Sequence, residues 1–156
     1  MRAEVIQIVT GLLGTLGFSI LFNIKGKRLL AATFGGFLSW SAFLLLGLVI
    51  ESEPVRYFLV SVLISFYAEM IARVLKTPTT TVLMSALVPL IPGGSLYYTM
   101  AYALRRDLEK FVAKAMSTLK LAGALALGIV ITTMVMRAIY ATKTIQDTEE
   151  ISDGNN

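Results

Sequence analysis

Two prolines and two adjacent glycines crowd into an otherwise apolar stretch, Ala86-Leu87-Val88-Pro89-Leu90-Ile91-Pro92-Gly93-Gly94-Ser95. Pro89 and Pro92 lack an N–H and crowd the preceding helical turn. Gly93 and Gly94 accept backbone angles that other residues resist, so the spacing predicts a helix broken at membrane depth. Hydrocarbon cannot hydrogen-bond the freed backbone groups. Irregular backbone survives there only inside protein or beside a watery cavity, as in the discontinuous helices of transporters. A half-helix starting near Ser95 would aim unpaired N–H groups and the positive end of its dipole at a carboxylate, with Ser95 as cap or ligand. Tyr97 and Tyr98 follow, placed either to hydrogen-bond a bound molecule or to sit as interfacial aromatics. Because the dipole contributes only about 0.3–1 kcal/mol to an exposed anion, further ligands are required.

Glu69 and Arg73 form a second candidate, four residues apart on one face of an apolar segment, a spacing at which opposite charges pair. A carboxylate inside a span is costly. It either faces a cavity, where it can carry a proton, or belongs to a structural ion pair whose arginine snorkels to the membrane surface. Lys76-Thr77-Pro78-Thr79-Thr80-Thr81 offers a threonine cap for the following helix or a contact to an anionic ligand, and Asn23 either closes the first helix or gives a polar contact within the bundle.

The chain that must position these groups has 156 residues, 56% hydrophobic and 15% charged, with a mean hydropathy of +0.74, the composition of an integral membrane protein. Each span consumes roughly 20 residues, so one bundle of four or five helices fills it. Cysteine and histidine are both absent. Disulfides, thiolate metal sites, cysteine nucleophiles and the usual neutral-pH proton shuttle are thereby excluded, and neither metal nor cofactor is expected. The net charge of +4 and the pI near 9.5 fit basic connectors, and no basic stripe with interleaved aromatics points to nucleic acid. There is no phosphate loop, nucleophile elbow or paired-carboxylate motif, so transport or assembly is favoured over enzymology.

Along the chain, Val5 to Ile24 reads as a first span with Gly11, Gly14 and Gly17 on one side, stopped by a basic flank, Lys25-Gly26-Lys27-Arg28, rather than by a leader cleavage site. Leu29 to Ile50 is a second span, carrying Trp40, and Tyr57 to Leu75 a third. Thr79 to Met100 is the broken fourth segment. Leu104, Leu108, Phe111, Val112 and Ala115 then recur at helical spacing among charged residues, predicting a separate amphipathic helix at the interface. Leu119 to Tyr140 is the last span, with Ala124 and Gly128 as a small-residue pair. The fold expected is an all-α membrane bundle, a single domain over 1–140, followed by a polar, disordered tail over 141–156.

Fourteen lysines and arginines test the fourth segment. If all five segments cross, seven fall on each side and no orientation follows. If the fourth re-enters, ten lie inside and four (Arg2, Arg56, Arg137, Lys143) outside, which the positive-inside rule favours, with both termini outward.

Three stretches resemble the threonine/serine exporter family: Gly17-Phe18-Ser19-Ile20-Leu21-Phe22-Asn23, Ala68-Glu69-Met70-Ile71-Ala72-Arg73 continuing to Pro78, and above all the Pro-x-x-Pro-Gly-Gly block with its Tyr-Tyr-Thr-Met sequel. The likeness is to the small-subunit type, similar to the C-terminal half of one-chain exporters, and runs to about Tyr140. It implies bacterial inner-membrane export of small carboxylated metabolites, either threonine/serine-type amino acids or C4-dicarboxylates such as succinate. It also implies a second membrane subunit resembling the family's N-terminal half. Self-association of the chain is a further option. By motif position the residues carried over are Glu69, Arg73, Pro89, Pro92, Gly93, Gly94, Tyr97 and Tyr98. Their roles come from physical reasoning: Pro92, Gly93 and Gly94 shape the break, Ser95 and Tyr97 meet substrate, and Glu69 with Arg73 couples or gates. The alternative is a non-transporting scaffold subunit, which accounts for the glycines but not for broken backbone or for Glu69 inside a span.

Overall fold

The computed structural model describes residues 2–153, with side chains described over 5–140. Helices α1 (Arg2–Leu21), α2 (Lys27–Leu46), α3 (Glu53–Val74), α4 (Thr79–Ala86), α5 (Gly93–Leu104) and α6 (Leu108–Asp153) follow one another, with a short 3-10 turn, Val88–Leu90, between α4 and α5. α2, α3 and α6 up to Tyr140 are long and apolar enough to cross a membrane singly; α4 and α5 qualify only together, and α1 is a shorter apolar helix.

Three connections are built alike. At the ends of α1, α3 and α5 a residue with positive φ (Asn23 at 56°, Lys76 at 46°, Arg106 at 57°) turns the chain. Behind each, an N–H reaches back five residues: Ile24 to the Ser19 carbonyl at 3.0 Å, Thr77 to Ala72 at 2.9 Å, Asp107 to Tyr102 at 3.1 Å. These are Schellman closures, which pair orphan carbonyls at the cost of a left-handed residue. Asn23 thus closes the first helix. No threonine caps α4, contrary to expectation: its N-cap is Pro78, with no side-chain hydrogen bond. Asp107 does cap α6, accepting from the Lys110 N–H at 3.2 Å.

Helix directions follow from contacts. Thr15 of α1 sits on Gly36 of α2 and Gly11 meets Trp40, so these helices are antiparallel. Tyr67 of α3 donates to the Ala31 carbonyl of α2 at 2.8 Å while Tyr57 meets Phe43, again antiparallel. Gly128 of α6 seats Ser61 of α3, and twelve residues further along both helices Tyr140 meets Arg73, so α3 and α6 run the same way. The chain has therefore returned to the starting face of α3 by Leu108.

This geometry overturns re-entry. A re-entrant fourth segment would leave α6 antiparallel to α3, and α4 and α5 would reverse direction; they bend by only 45°. The fourth segment is a kinked span. The five segments alternate in direction, reversing four times, which puts the start of α1 and the end of α6 on opposite faces rather than both outward. The basic count misled because Arg105, Arg106, Lys110 and Lys114 cluster at one hairpin tip, where they add to whichever side that tip occupies. Nor is the amphipathic helix separate. Between the Asp107 cap and Gly123 there is no glycine or proline to stop it, and it runs straight into the last span as α6. The tail expected over 141–156 lies outside the described side chains, though α6 continues to Asp153.

The core gathers around α3 and α4: Val60, Ile64, Ala68, Val82, Ala86 and Leu90 are fully buried. Ala86 approaches Gly35 so closely that a Cβ there would lie 2.7 Å away, so glycine sets the α2–α4 spacing.

Candidate functional site

The break occupies Leu87 to Pro92. Pro89 offers no N–H to the Ser85 carbonyl one turn back, so α4 ends in the 3-10 turn, with Leu90 N–H bonding the Leu87 carbonyl at 2.8 Å. Ile91 is extended (ψ 122°), Pro92 is the N-cap of α5 (φ −74°, ψ 56°), and no side chain caps that helix. The expected half-helix exists, but it starts at Gly93 rather than near Ser95. Ser95 is therefore the third residue of the helix, within its first turn. Its carbonyl accepts the Thr99 hydroxyl at 2.8 Å, and Thr99 meets the Thr118 hydroxyl at 3.2 Å, fixing α5 on α6.

Gly93 and Gly94 sit in this first turn without using their conformational freedom: neither has a positive φ. A Cβ on either would meet nothing within 4 Å. What the glycines leave is bare backbone beside open space, at the positive end of a helix. Tyr97 and Tyr98 lie on the same uncovered helix, 70% and 53% exposed, with their rings edge to face at 5.5 Å. No residue of α5 is buried.

Glu69 and Arg73 pair as their spacing predicted, at 3.5 Å. Glu69 is buried at 8% exposure, whereas Arg73 reaches outward and stacks on the Tyr140 ring, its guanidinium carbon 3.2 Å from the centroid. The pair therefore ties α3 to α6. It lies near the α3–α4 turn, while the break begins eight residues beyond Thr79, about 12 Å along α4. No described contact joins the two, so the sequence candidates form two regions, not one site.

Pro89 faces a third place. It packs near Gly11 (3.8 Å to a Cβ built there) and, with Val88, forms one wall of a groove of about 290 Å3. Gln7, Thr10, Gly11 and Gly14 of α1 make a second wall and Trp40 of α2 the third. Gln7 and Thr10 escaped the sequence analysis. Their signal was there: positions 7, 10, 11 and 14 follow the one-face helical pattern, and all four are polar or glycine in an apolar helix. The grouping with Trp40 and Pro89 arises only from packing.

An all-α bundle of apolar helices with a kinked span defines a multi-pass membrane protein. Residues 7–135 match the family model described as Threonine/Serine exporter, ThrE, and the chain belongs to that family. That membership points to a transporter rather than an enzyme. Neither the curated proteins nor the solved structures contain a match.

Proposed function

We propose that this chain is one subunit of a two-component secondary exporter of the bacterial inner membrane, moving threonine/serine-type amino acids or C4-dicarboxylates such as succinate. A second membrane subunit, resembling the family's N-terminal half, completes it. The single observation that carries this reading is the uncovered break: α5 buries none of its residues, and Gly93 and Gly94 leave room that none of the described residues fills. A partner laid over α5 would enclose that room. Pro89, Pro92, Gly93 and Gly94 then hold the kink, Ser95, Tyr97 and Tyr98 face the substrate, and Glu69 with Arg73 gates from beside the α3–α4 turn. The absence of any nucleotide-binding motif leaves the proton gradient as the energy source. Alternating access would rock the bundles about the kinked span.

The test is reconstitution in liposomes with and without the partner, following labelled threonine, serine and succinate under an imposed pH gradient. Gradient-driven flux of at least one of them, present only when both subunits are present, is the expected result. Flux from this chain alone would remove the two-component arrangement, and no flux of any of the three would remove the export reading.

A further inference from the structure

The seam between α3 and α6 carries an inference about how a proton reaches Glu69, and it rests on the proton-driven reading above. Ser61 of α3 sits against Gly128 of α6, and twelve residues further along both helices Arg73 meets Tyr140, so the register between them is fixed. One turn past the first contact, that register sets Ser65 level with Thr132. One turn further it sets Glu69 level with Met136, and all four residues are buried. The hydroxyls of Ser65 and Thr132 have no hydrogen-bond partner among the described residues. Other hydroxyls of the same two helices close on their own backbone: Ser61 donates to the Phe58 carbonyl at 2.8 Å and Thr118 to the Lys114 carbonyl at 2.9 Å. A residue kept in the seam only for its small size can close in the same way, and Ser65 does not.

Two buried hydroxyls at one level of one seam are costly unless a third group joins them. A water meets that need, since buried waters sit where polar groups otherwise lack partners and take two to four of them. Positions four apart rise about 6 Å along a helix, the reach of two hydrogen bonds of about 2.8 Å through one water. A water between Ser65 and Thr132 is therefore within reach of the Glu69 carboxylate, which Arg73 holds on its other side at 3.5 Å. In the opposite direction Ser61 and Tyr57 follow at the same spacing, both buried, so a side-chain oxygen recurs at every turn of α3 from Tyr57 to Glu69. Lys27 and Arg28 of α2 and Arg137 of α6 are exposed and α4 has no charged residue, which leaves Arg73 as the cation beside Glu69. We propose that Ser65 and Thr132 hold a buried water that passes protons along the α3–α6 seam to the Glu69 carboxylate. In the transfer an O–H bond of this water breaks as one forms on a Glu69 oxygen. The water takes a proton from the Ser65 hydroxyl, which is refilled by way of Ser61 from a hydronium ion of bulk solvent. The net change is one proton moved from solvent onto Glu69, which loses its charge and frees Arg73. The close contact at Gly128 keeps the helices fixed while this happens.

The test follows Glu69 itself, in the full-length chain in lipid nanodiscs. Release of a caged proton should raise an infrared carboxylic-acid band that Glu69→Gln removes. In Ser65→Ala/Thr132→Val, which takes away both hydroxyls at nearly constant volume, that band should rise more slowly by roughly tenfold or more. Thr132→Ser, which keeps the hydroxyl, should rise at the original rate. Thermal stability of the double variant should hold or increase, because two unpaired hydroxyls are gone; a merely structural role would move stability and leave the rate alone. Ser65→Ala by itself, expected to slow the band in the same sense, keeps the test open if the double variant does not fold. No band assignable to Glu69, an unaltered rate without the hydroxyls, or equal slowing in Thr132→Ser would each overturn the proposal. The two readings fail separately. Hydroxyl-dependent protonation of Glu69 without flux in liposomes would leave the path standing and remove the exporter, whereas threonine flux with protonation indifferent to both hydroxyls would do the reverse.

Discussion

On the seam between α3 and α6, Gly128 lies so close to its neighbour that a Cβ would collide with the Ser61 hydroxyl and stand 2.8 Å from the Phe58 carbonyl. At the start of α5, a Cβ on Gly93 or Gly94 would meet nothing at all within 4 Å. The same residue type does opposite work in the two places. In the seam, glycine is required by helices already in contact, and the region is a scaffold. At the break it keeps backbone bare beside space that the described residues leave open. The contrast extends to the neighbours: the residues four before and four after Ser61, Tyr57 and Ser65, are both buried, while Tyr97 and Tyr98 stand out from the bundle.

Substitutions can sharpen or break this contrast. The largest effect is expected at Gly128→Leu, where the new side chain must push apart two packed helices; a loss of about 3 kcal/mol or outright failure to assemble should appear in thermal unfolding in detergent. Unchanged stability there would mean the seam is not the scaffold. Next come the left-handed residues. Lys76→Gly and Arg106→Gly should each stabilise by about 1 kcal/mol, because glycine carries no Cβ penalty at positive φ. A loss in either would show that its side chain holds the turn.

The smallest effect on stability belongs to Glu69→Gln. The pair at 3.5 Å is half open to its surroundings through Arg73, whose side chain is 40% exposed, so the change should stay under about 1 kcal/mol. Export should nonetheless be lost. If unfolding shifts as far as for Gly128→Leu while flux persists, the ion pair belongs to the scaffold.

Much of this arrangement was legible in the residues. Prolines and adjacent glycines placed the break within a residue or two, because a missing N–H is a local property that packing cannot restore. The four-residue spacing of Glu69 and Arg73 foretold their pairing for the same reason. What stayed hidden depends on tertiary contact. Glycine does not reveal whether it stands against another helix or beside nothing, so Gly36, Gly93 and Gly128 look alike in the chain. The charged run from Arg105 to Lys114 resembles a surface helix, yet it is the α5–α6 turn followed by the first turns of α6, since hydropathy records environment and not continuity. Likewise the groove unites Gln7, Trp40 and Pro89 from three elements far apart in sequence.

The most direct test of the contrast is labelled-threonine flux through Gly93→Leu in proteoliposomes containing the proposed partner subunit, beside the thermal stability of the same preparation. With the side chain entering open space, stability should hold or rise by about 0.5–1 kcal/mol, the helix-propensity gain over glycine. Flux should fall to background. Flux equal to that of the unaltered protein at unchanged stability would contradict the assignment of the break as the place where transport occurs.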